Sequence, residues 1–580
     1  MAGLQAATLA LDGSDPRKPP LQAETTTANV ARDEHVKDRV VSFEEYLYYA
    51  AITRAEEQEA NARFVAARGP RSLKNMAKQR FSSGRIPGTA ASEARDLTTV
   101  GNAKDDDVQE GVPRDGLSRY DISATQRKHA SRAMRTASWG TIFYLITTDI
   151  LGPMSAPWAF AQMGYGPGVA LYTVFGVMSY YSGWILWKVF LCLDSDQYPL
   201  KGFGDFFYRM YGSGARHFIN IAQSLQLLLM VSTNILTNGQ SISQISPGIV
   251  LGQIRTLQRL GWFANFAVWL NVAAMLICMA SVGYGPNYEA VEASFGLSPN
   301  MPIRTFAGTP PPGLATGGSG FIGSLNGLNV AVFAYGGAML FAALLAEMRH
   351  PMDFWKGLLI AEIFIYGIYI FFGIFVYSFL GQYSYNPAVQ GIPLYRLQTA
   401  GNILSVCATL IAAVLYGNIG MKVVYVEIFH ELLGFPGLAT KTGRLWWSAL
   451  VPVYWAIAFI VAASVPQFSY ILGLVGALFI LSFTYTFPAW LAIGFWVRKD
   501  AMMEGEERFD PTTKTYNYVD RGWKRWRRGF MKKPLFNTWN VIYFLGALVT
   551  CALGCYSSIV SLRQAFASGI ATSLSCKPPL

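Results

Sequence analysis

The stretch DILGPMSAPWAFAQMGYGPG, residues 149–168, heads the first long apolar run of the sequence and sets an acid and two prolines where a membrane helix should be continuous. A proline inside a helix removes an amide donor and clashes with the carbonyl four residues back. Pro153 and Pro157 are four apart with Gly152 beside the first. The helix is therefore expected to stop after about residue 151 and to restart near Pro157, because proline suits a helix start. In hydrocarbon, freed backbone groups are tolerated only where they are buried in protein or line a cavity. The amides near Met154, Ser155 and Ala156 would form the positive end of a half-helix, which suits a carboxylate. The carbonyls from Thr148 to Leu151 would accept from an ammonium group. One broken helix thus offers both poles of a zwitterion. A proline kink used only for packing is the other reading of this stretch taken alone.

The surrounding composition places that helix in a bilayer. Of 580 residues, 52% are hydrophobic and 14% charged, where a soluble chain would carry about a quarter charged. Apolar runs fall at about 138–163, 167–193, 216–241, 261–283, 325–347, 356–380, 401–428, 445–466, 468–497 and 537–562. Each approaches the roughly 20 residues that cross hydrocarbon about 30 Å thick. The expected fold is an all-α polytopic membrane protein; an outer-membrane barrel would show short alternating segments.

The net charge of +11 does not point to nucleic acid. Residues 1–135 carry 21 basic and 19 acidic side chains, and the excess sits in loops, most densely in RGWKRWRRGFMKK (521–533), with seven basic residues and no acid. Trp interleaved with base there suits anionic lipid headgroups at a cytoplasmic surface. Residues 1–135 read as a cytoplasmic tail, disordered in composition apart from an amphipathic helix at 42–69 with Ser42 as N-cap and Gly69 as stop. The transmembrane domain is expected over 136–565, with a short tail at 566–580. No signal-peptide pattern opens the sequence, so the first span is expected to direct the chain to the membrane. The six cysteines form no CxxC pair or Cys/His cluster, so neither a disulfide framework nor a metal is expected.

Loop charge predicts the orientation. RKHASRAMR before the first span places the N-terminus inside, and QIRTLQR (253–259), EMRHPMDFWK (347–356), ATKTGR (439–444) and 521–533 should also be cytoplasmic. Three spans from an inside N-terminus leave the chain outside near 242, yet the next basic piece follows at 253 with only SPGIVLGQI (246–254) between. Ten spans put every later basic loop on the wrong side, whereas an eleventh crossing near 242–254 reconciles all of them.

A second interruption sharpens the first. VFAYGGAMLFAALLAEM (332–348) sets Tyr335, Gly336 and Gly337 inside an apolar span; a glycine pair weakens a helix, or serves close packing. With the missing crossing restored, the two breaks fall in spans one and six. Breaks at corresponding places in two halves point to a transporter site built from inverted repeats.

At these residues the chain resembles the amino acid/auxin permease family, in its fungal neutral amino-acid branch. GPMSAPWAFAQMGYGPG is similar to the family's glycine-rich first helix, AYGGAMLFAALLAEMRHPMDFWK to its sixth-helix region, and QIRTLQRLGWFANFAVWLN to the entry of its fifth. The resemblance runs from about 135 to 565. It implies a leucine-transporter-like bundle of five plus five helices with one C-terminal helix, and proton-driven amino-acid uptake. Members have eleven spans, and here the fourth is truncated.

For the substrate's backbone poles the candidates are Thr148, Gly152, Ser155, Ala156, Tyr335, Gly336 and Gly337, mostly through main-chain groups. Asp149 is an ionisable residue at the break, a functional candidate by position; it either carries the driving proton or pairs with freed amides. Asn220, Gln223, Ser224, Asn234, Asn238 and Ser241 make a polar stripe on the third span, with Asn234 a candidate pocket residue. Asn402, Ser405, Thr409 and Tyr416 share a face on the seventh run, with Tyr416 the candidate for the pocket. Lys422 either fills a cation site or snorkels to the interface. Glu347 and Glu362 are expected near cytoplasmic ends, paired with Arg349 or Lys356. No nucleophile or cofactor constellation occurs, so an enzyme is not expected. The functional expectation is proton symport of neutral, aliphatic or aromatic, amino acids by alternating access, at the plasma membrane or, alternatively, the vacuole. Two other readings fit the same residues: an amino-acid receptor signalling through the N-terminal tail, and a transport-inactive form lacking the fourth span.

Overall fold

The computed structural model describes residues 41–68, 135, 137–239, 257–316, 320–431, 433–437, 440–464, 468–503, 509–511, 513 and 515–567. Among these the chain is nearly all helical, with two isolated β-bridges and no strand. Helix α1 (Phe43–Arg68) precedes the bundle. The first span is split into α2 (Trp139–Ile150) and α3 (Ala156–Met163), and α4 (Tyr165–Leu193) returns. A short α5 (Phe203–Tyr211) leads to α6 (Ser213–Gly239); then come α7 (Leu257–Ser281) and a loop helix α8 (Tyr288–Phe295). The second split span is α9 (Gly320–Phe333) and α10 (Phe341–Glu347), followed by α11 (Phe354–Leu380). Helix α12 (Tyr395–Val423) continues as π-helix to His430, and α13 (Lys441–Ser464) carries Pro452 in its interior. Helix α14 (Phe468–Val475) passes through two π segments into α15 (Phe487–Asp500). Basic α16 (Trp523–Lys532) and α17 (Pro534–Ala567) complete the order.

Eight helices are long and apolar enough to cross a membrane among the described residues. The split α2–α3 pair and α7 are two further apolar segments, so all ten expected runs lie on helix.

Local chemistry sets several ends. Ser138 caps α2 by accepting from the Thr141 amide at 3.3 Å, Asp205 accepts from the Lys201 and Gly202 amides at the start of α5, and Ser42 accepts from the Glu45 amide at the start of α1. Gly164 ends α3 with φ of 81°, a conformation that a Cβ disfavours. A Cβ there would also lie 2.1 Å from the Gly308 carbonyl. The Tyr165 and Gly166 amides donate to Phe306 and Ala307 carbonyls, which ties the far end of the first span to the loop before α9.

Helix directions follow from which ends meet. Ala137, at the foot of α2, exchanges backbone bonds with Glu347 and Arg349 at the end of α10; this is the basal face. Asp194 at the end of α4 bonds Arg135 on the same face. Arg216 in the first turn of α6 pairs with Glu427 and Glu431 at the end of α12. The end of α7, at Cys278 and Val282, packs instead with Leu380, Val389 and Ile392, where α11 ends and α12 begins. Helices of 27 and 25 residues are about 40 Å long, so α6 runs from the basal to the far face and α7 does the same. Gly239 and Leu257 therefore lie toward opposite faces. The crossing expected near 242–254 lies outside the described residues, but its two flanking helices have the directions that the charge pattern demands. The segments 1–40, 69–134 and 568–580, and Ser241 of the polar stripe, also lie outside them.

Among the described residues the basic loops at 347–356 and 521–533 gather at the basal face. Lys356 pairs with Asp353 just after α10, Lys533 pairs with Asp500 between α15 and α17, and α16 lies in the same connection. Helix α1 docks there as well. Phe43 meets Phe495, the Tyr198 hydroxyl donates to Glu45 at 2.7 Å, and Tyr518 and Arg525 both reach Glu44.

Candidate functional site

The first break follows the proline reading closely. Helix α2 ends at Ile150, a single 3-10 turn covers Pro153–Ser155, and α3 restarts at Ala156 with Pro157 in its first turn. The second break runs from Ala334 to Gly337, followed by a 3-10 turn at Ala338–Leu340. The two breaks touch. A Cβ on Gly337 would lie 2.6 Å from Ile150 Cγ1 and 3.0 Å from Asp149 Oδ2. Gly336 is closed in by Ile480, in the first π segment after α14, at 2.5 Å from the same imagined atom. Glycine at both positions is thus required by close approach of neighbouring atoms.

The freed backbone groups are partly caught by side chains from other helices. The Tyr416 hydroxyl of α12 donates to Asp149 Oδ1 at 2.7 Å and lies 3.2 Å from the Asp149 carbonyl. Tyr369 of α11 bridges the gap: its hydroxyl donates to the Ile150 carbonyl and accepts from the Gly152 amide, both at 3.0 Å. Asn271 of α7 reaches the Leu151 carbonyl at 3.3 Å. Yet Gly152 remains exposed, and Thr148, Asp149, Met154 and Ser155 are half-buried, while α3 beyond them is wholly buried. The first amides of a restarting helix have no intrahelical acceptor, so the opening at the break presents donors and the positive helix end.

The other proposed positions divide. Thr148 Oγ1 bonds the Tyr144 carbonyl of its own helix, and Ala156 is fully buried. The Tyr335 ring is buried against Gly176, Tyr172 and Tyr369, so only its backbone belongs to the break. Asn234 is half-buried and bonds the Met230 carbonyl one turn back. Asn220 serves the basal Arg216–Glu427 group.

Two expectations about charged residues, Glu362 and Lys422, are corrected. Glu362 is 5% exposed and does not pair with Lys356; it lies on the buried face of α11 with Leu358, Ile365 and Tyr369 and accepts from Ser179 of α4 at 2.8 Å. Lys356 points the other way, to Asp353. Glu347 is buried with Lys422 as its charged neighbour. Lys422 is 1% exposed and does not snorkel, because the π-helical extension to His430 carries the helix two turns past it. Tyr369, Asn271 and Ser179 carry no sequence signal of their own; they sit in plain apolar runs and matter through tertiary contact, whereas Glu362 is marked by its charge in an apolar run but not by its partner.

With this geometry in view, similarity to other proteins decides the family. Residues 135–509 match the family described as transmembrane amino acid transporter protein. The chain belongs to that family. It is 27% identical over 398 residues to the N amino acid transport system protein of Neurospora crassa, covering 64% of this chain and 78% of that one. A transmembrane transporter of Fusarium pseudograminearum is 21% identical over 460 residues, covering 75% of this chain and 86% of its own. The amino acid transporter AVT1I of Arabidopsis thaliana is 21% identical over 355 residues, 58% of this chain and 81% of that one. This member of the family is an integral membrane protein of amino acid transport, and its relatives are named as transporters, not as enzymes.

Proposed function

We propose that the chain is a proton-coupled symporter of neutral amino acids working by alternating access, with the paired breaks as its substrate site. The observation that carries this reading is the meeting of Asp149, Tyr416 and Gly337 at the touching breaks. A carboxyl is held there by a hydroxyl, with no ion pair to it among the described residues. Main-chain amides near Met154 and Ser155 would take the substrate carboxylate, and carbonyls of Thr148, Asp149, Gly336 and their neighbours its ammonium. Asp149 would bind the driving proton. Counted with the crossing expected near 242–254, the breaks fall in the first helix of each five-helix half, the arrangement of an inverted repeat.

The basal face, where the basic loops meet, is then cytoplasmic, and α1 with its tail lies in the cytosol of a cell whose plasma membrane holds the transporter. Trp523 and Trp526 stack at 4.7 Å on α16 and are exposed beside its Arg and Lys side chains, which suits anionic headgroups.

The test is uptake of a panel of neutral amino acids into proteoliposomes with and without an inward proton gradient. Gradient-dependent accumulation that Asp149→Asn abolishes supports the reading. Uptake indifferent to the gradient overturns the proton coupling, and no uptake unless a longer fourth span is supplied identifies a transport-inactive form.

A further inference from the structure

Glu362 is a second carboxyl in the bundle interior, and the site described above makes no use of it. It lies 5% exposed on α11, and its Oε1 accepts from Ser179 Oγ at 2.8 Å. Its Oε2 is buried with no hydrogen-bond partner, and no ion pair includes it among the described residues. Phenols stand around it among the described residues. Tyr335 comes from the second break and Tyr485 from the second π segment. Tyr543 of α17 bonds Ser182 on α4. Tyr366, one turn along α11, bonds Thr173. Asp149 is turned to Tyr416. Burying a charge without a partner is far costlier than burying the neutral acid.

The neighbour that gives Glu362 a role is Ser179, itself fully buried. Its hydroxyl stands 2.8 Å from the carboxyl and 3.4 Å from the carbonyl of Tyr335. That carbonyl is in the second break, where it also accepts from the Gly337 amide at 3.1 Å. A serine hydroxyl has one proton to donate. When Glu362 is ionised, Ser179 must give that proton to the carboxylate. When Glu362 is protonated, the acid can donate to Ser179 Oγ, and the serine proton is free to close on the Tyr335 carbonyl.

We propose that Glu362 is a positioning residue that binds a second proton and reports it to the substrate site through Ser179, by changing the hydrogen bonding of the second break. Only proton binding is involved: a proton from water joins a carboxylate oxygen as the break opens and returns to water from it, and no other bond is made or broken. Differential hydrogen bonding between two states is what couples one binding event to another. Glu362 and Asp149 then address different breaks, Asp149 by contact and Glu362 through one hydroxyl.

The inference uses the transport reading only for its second readout. The first is infrared difference spectroscopy of the purified full chain across pH, which detects the carbonyl stretch of a protonated carboxyl without any substrate. The carbonyl band is expected to hold a Glu362 component, kept in the wild type, in Asp149→Asn and in Ser179→Ala and lost from the difference spectrum in Glu362→Gln, where the Asp149 component remains. The second readout is binding of radiolabelled L-leucine and L-phenylalanine from pH 5.5 to 7.5. In the wild type the affinity should vary about fivefold or more over that range, within the usual span of coupling energies. Ser179→Ala should keep the band and flatten the profile, and Glu362→Gln should flatten it too, because the amide can donate to Ser179 as the acid would. An unchanged band in Glu362→Gln overturns the inference, as does a Ser179→Ala profile superimposable on wild type. Failure of the wild type to bind any amino acid would sink the substrate reading instead, with the band still deciding where the proton resides.

Discussion

Carboxyls enclosed wholly or in part by the fold occur in two regions of this chain and keep opposite company. At the basal face Asp194 is fully buried, with Arg54 at 2.7 Å and Arg135 at 2.9 Å. Glu57 bonds the same two guanidinium groups at 2.7 and 2.8 Å. Midway along the bundle, Asp149 and Glu362 are held by one tyrosine and one serine hydroxyl, and no ion pair joins either among the described residues. The basal cluster joins α1, the residue before the first span and the end of α4, three pieces distant in sequence, and its charges balance. The interior carboxyls join nothing by charge. A balanced buried cluster fixes a geometry, whereas a carboxyl held only by hydroxyls can change its charge and be felt by what touches it.

The largest effects should come from the interior. Gly337→Ala would place a methyl 2.6 Å from Ile150 Cγ1 and 3.0 Å from Asp149 Oδ2. Overpacking of this kind costs about 1–3 kcal/mol, and here the strain falls between the two breaks. Amino-acid binding by the purified variant should weaken by about tenfold or more, with a much smaller loss of thermal stability. If binding is unaffected, the breaks are not the site.

For stability, as distinct from substrate binding, the largest effect is expected from Asp194→Ala. Removing one partner of a buried ion pair costs about 3–5 kcal/mol because the remaining charges lose their compensation. The loss should be local: α1 should undock, seen as hydrogen exchange rising through Phe43–Arg68 while the bundle core keeps its protection. Acid gives an independent route to the same end. Burial alone would raise the Asp194 pKa, but Arg135, Arg54 and the Leu200 amide outweigh it and hold the carboxyl below its ordinary range. A folded-state value below the unfolded one, about 3.9, gives a stabilisation that is present above about pH 4 and is lost as pH falls through the folded value. The difference in α1 protection between wild type and Asp194→Ala should therefore be flat from about pH 8 to pH 5 and fall only in stronger acid. It is read as a difference because burial pushes the Glu57 carboxyl of the same cluster up to about 7, so that Glu57 titrates near neutrality in its own right. A loss of this difference centred near neutrality would mean that another group controls docking.

The contrast also explains what the sequence could reveal. Both breaks were legible because proline and glycine act on their own backbone within a turn. The directions of α6 and α7 were legible from loop charge, and the structure reaches them by an unrelated route, through which helix ends meet. Tyr369 was not legible. It bridges Ile150 and Gly152 only because α11 packs on the first span, and nothing in GIYIFFG distinguishes it from its neighbours. Lys422 misled for a related reason: its distance from the bilayer surface depends on where the helix stops, and the π-helical turns that extend α12 have no simple sequence mark. Glu362 misled because nearness to Lys356 in sequence says nothing of helix face; six residues is more than a turn and a half.

A smaller test asks how much of the interior arrangement rests on one hydroxyl. Tyr416→Phe removes the 2.7 Å bond to Asp149 and little volume. The loss of a hydrogen bond to a charged group is worth about 1.5–3 kcal/mol, and to a neutral one about 0.5–1.5 kcal/mol. The size of the effect thus reads the state of Asp149: a shift in substrate affinity below about tenfold fits a neutral acid, and a larger one fits a carboxylate.

The smallest effect is expected on α1 itself, within about two turns of its buried cluster. Arg63 and Glu59 are paired at 3.4 Å, with side chains 83% and 71% exposed. In water such a pair gains little, since solvent screens the attraction and two long side chains must be held still. Arg63→Ala should leave exchange protection across Phe43–Arg68 within error of wild type, while Arg54→Ala, nearer the middle of the helix and against Asp194, should release it. The two arginines share a helix and a chemistry and differ chiefly in burial. If Arg63→Ala loosened the helix as much as Arg54→Ala, docking would depend on the total charge of α1, and the buried cluster would not be what holds it.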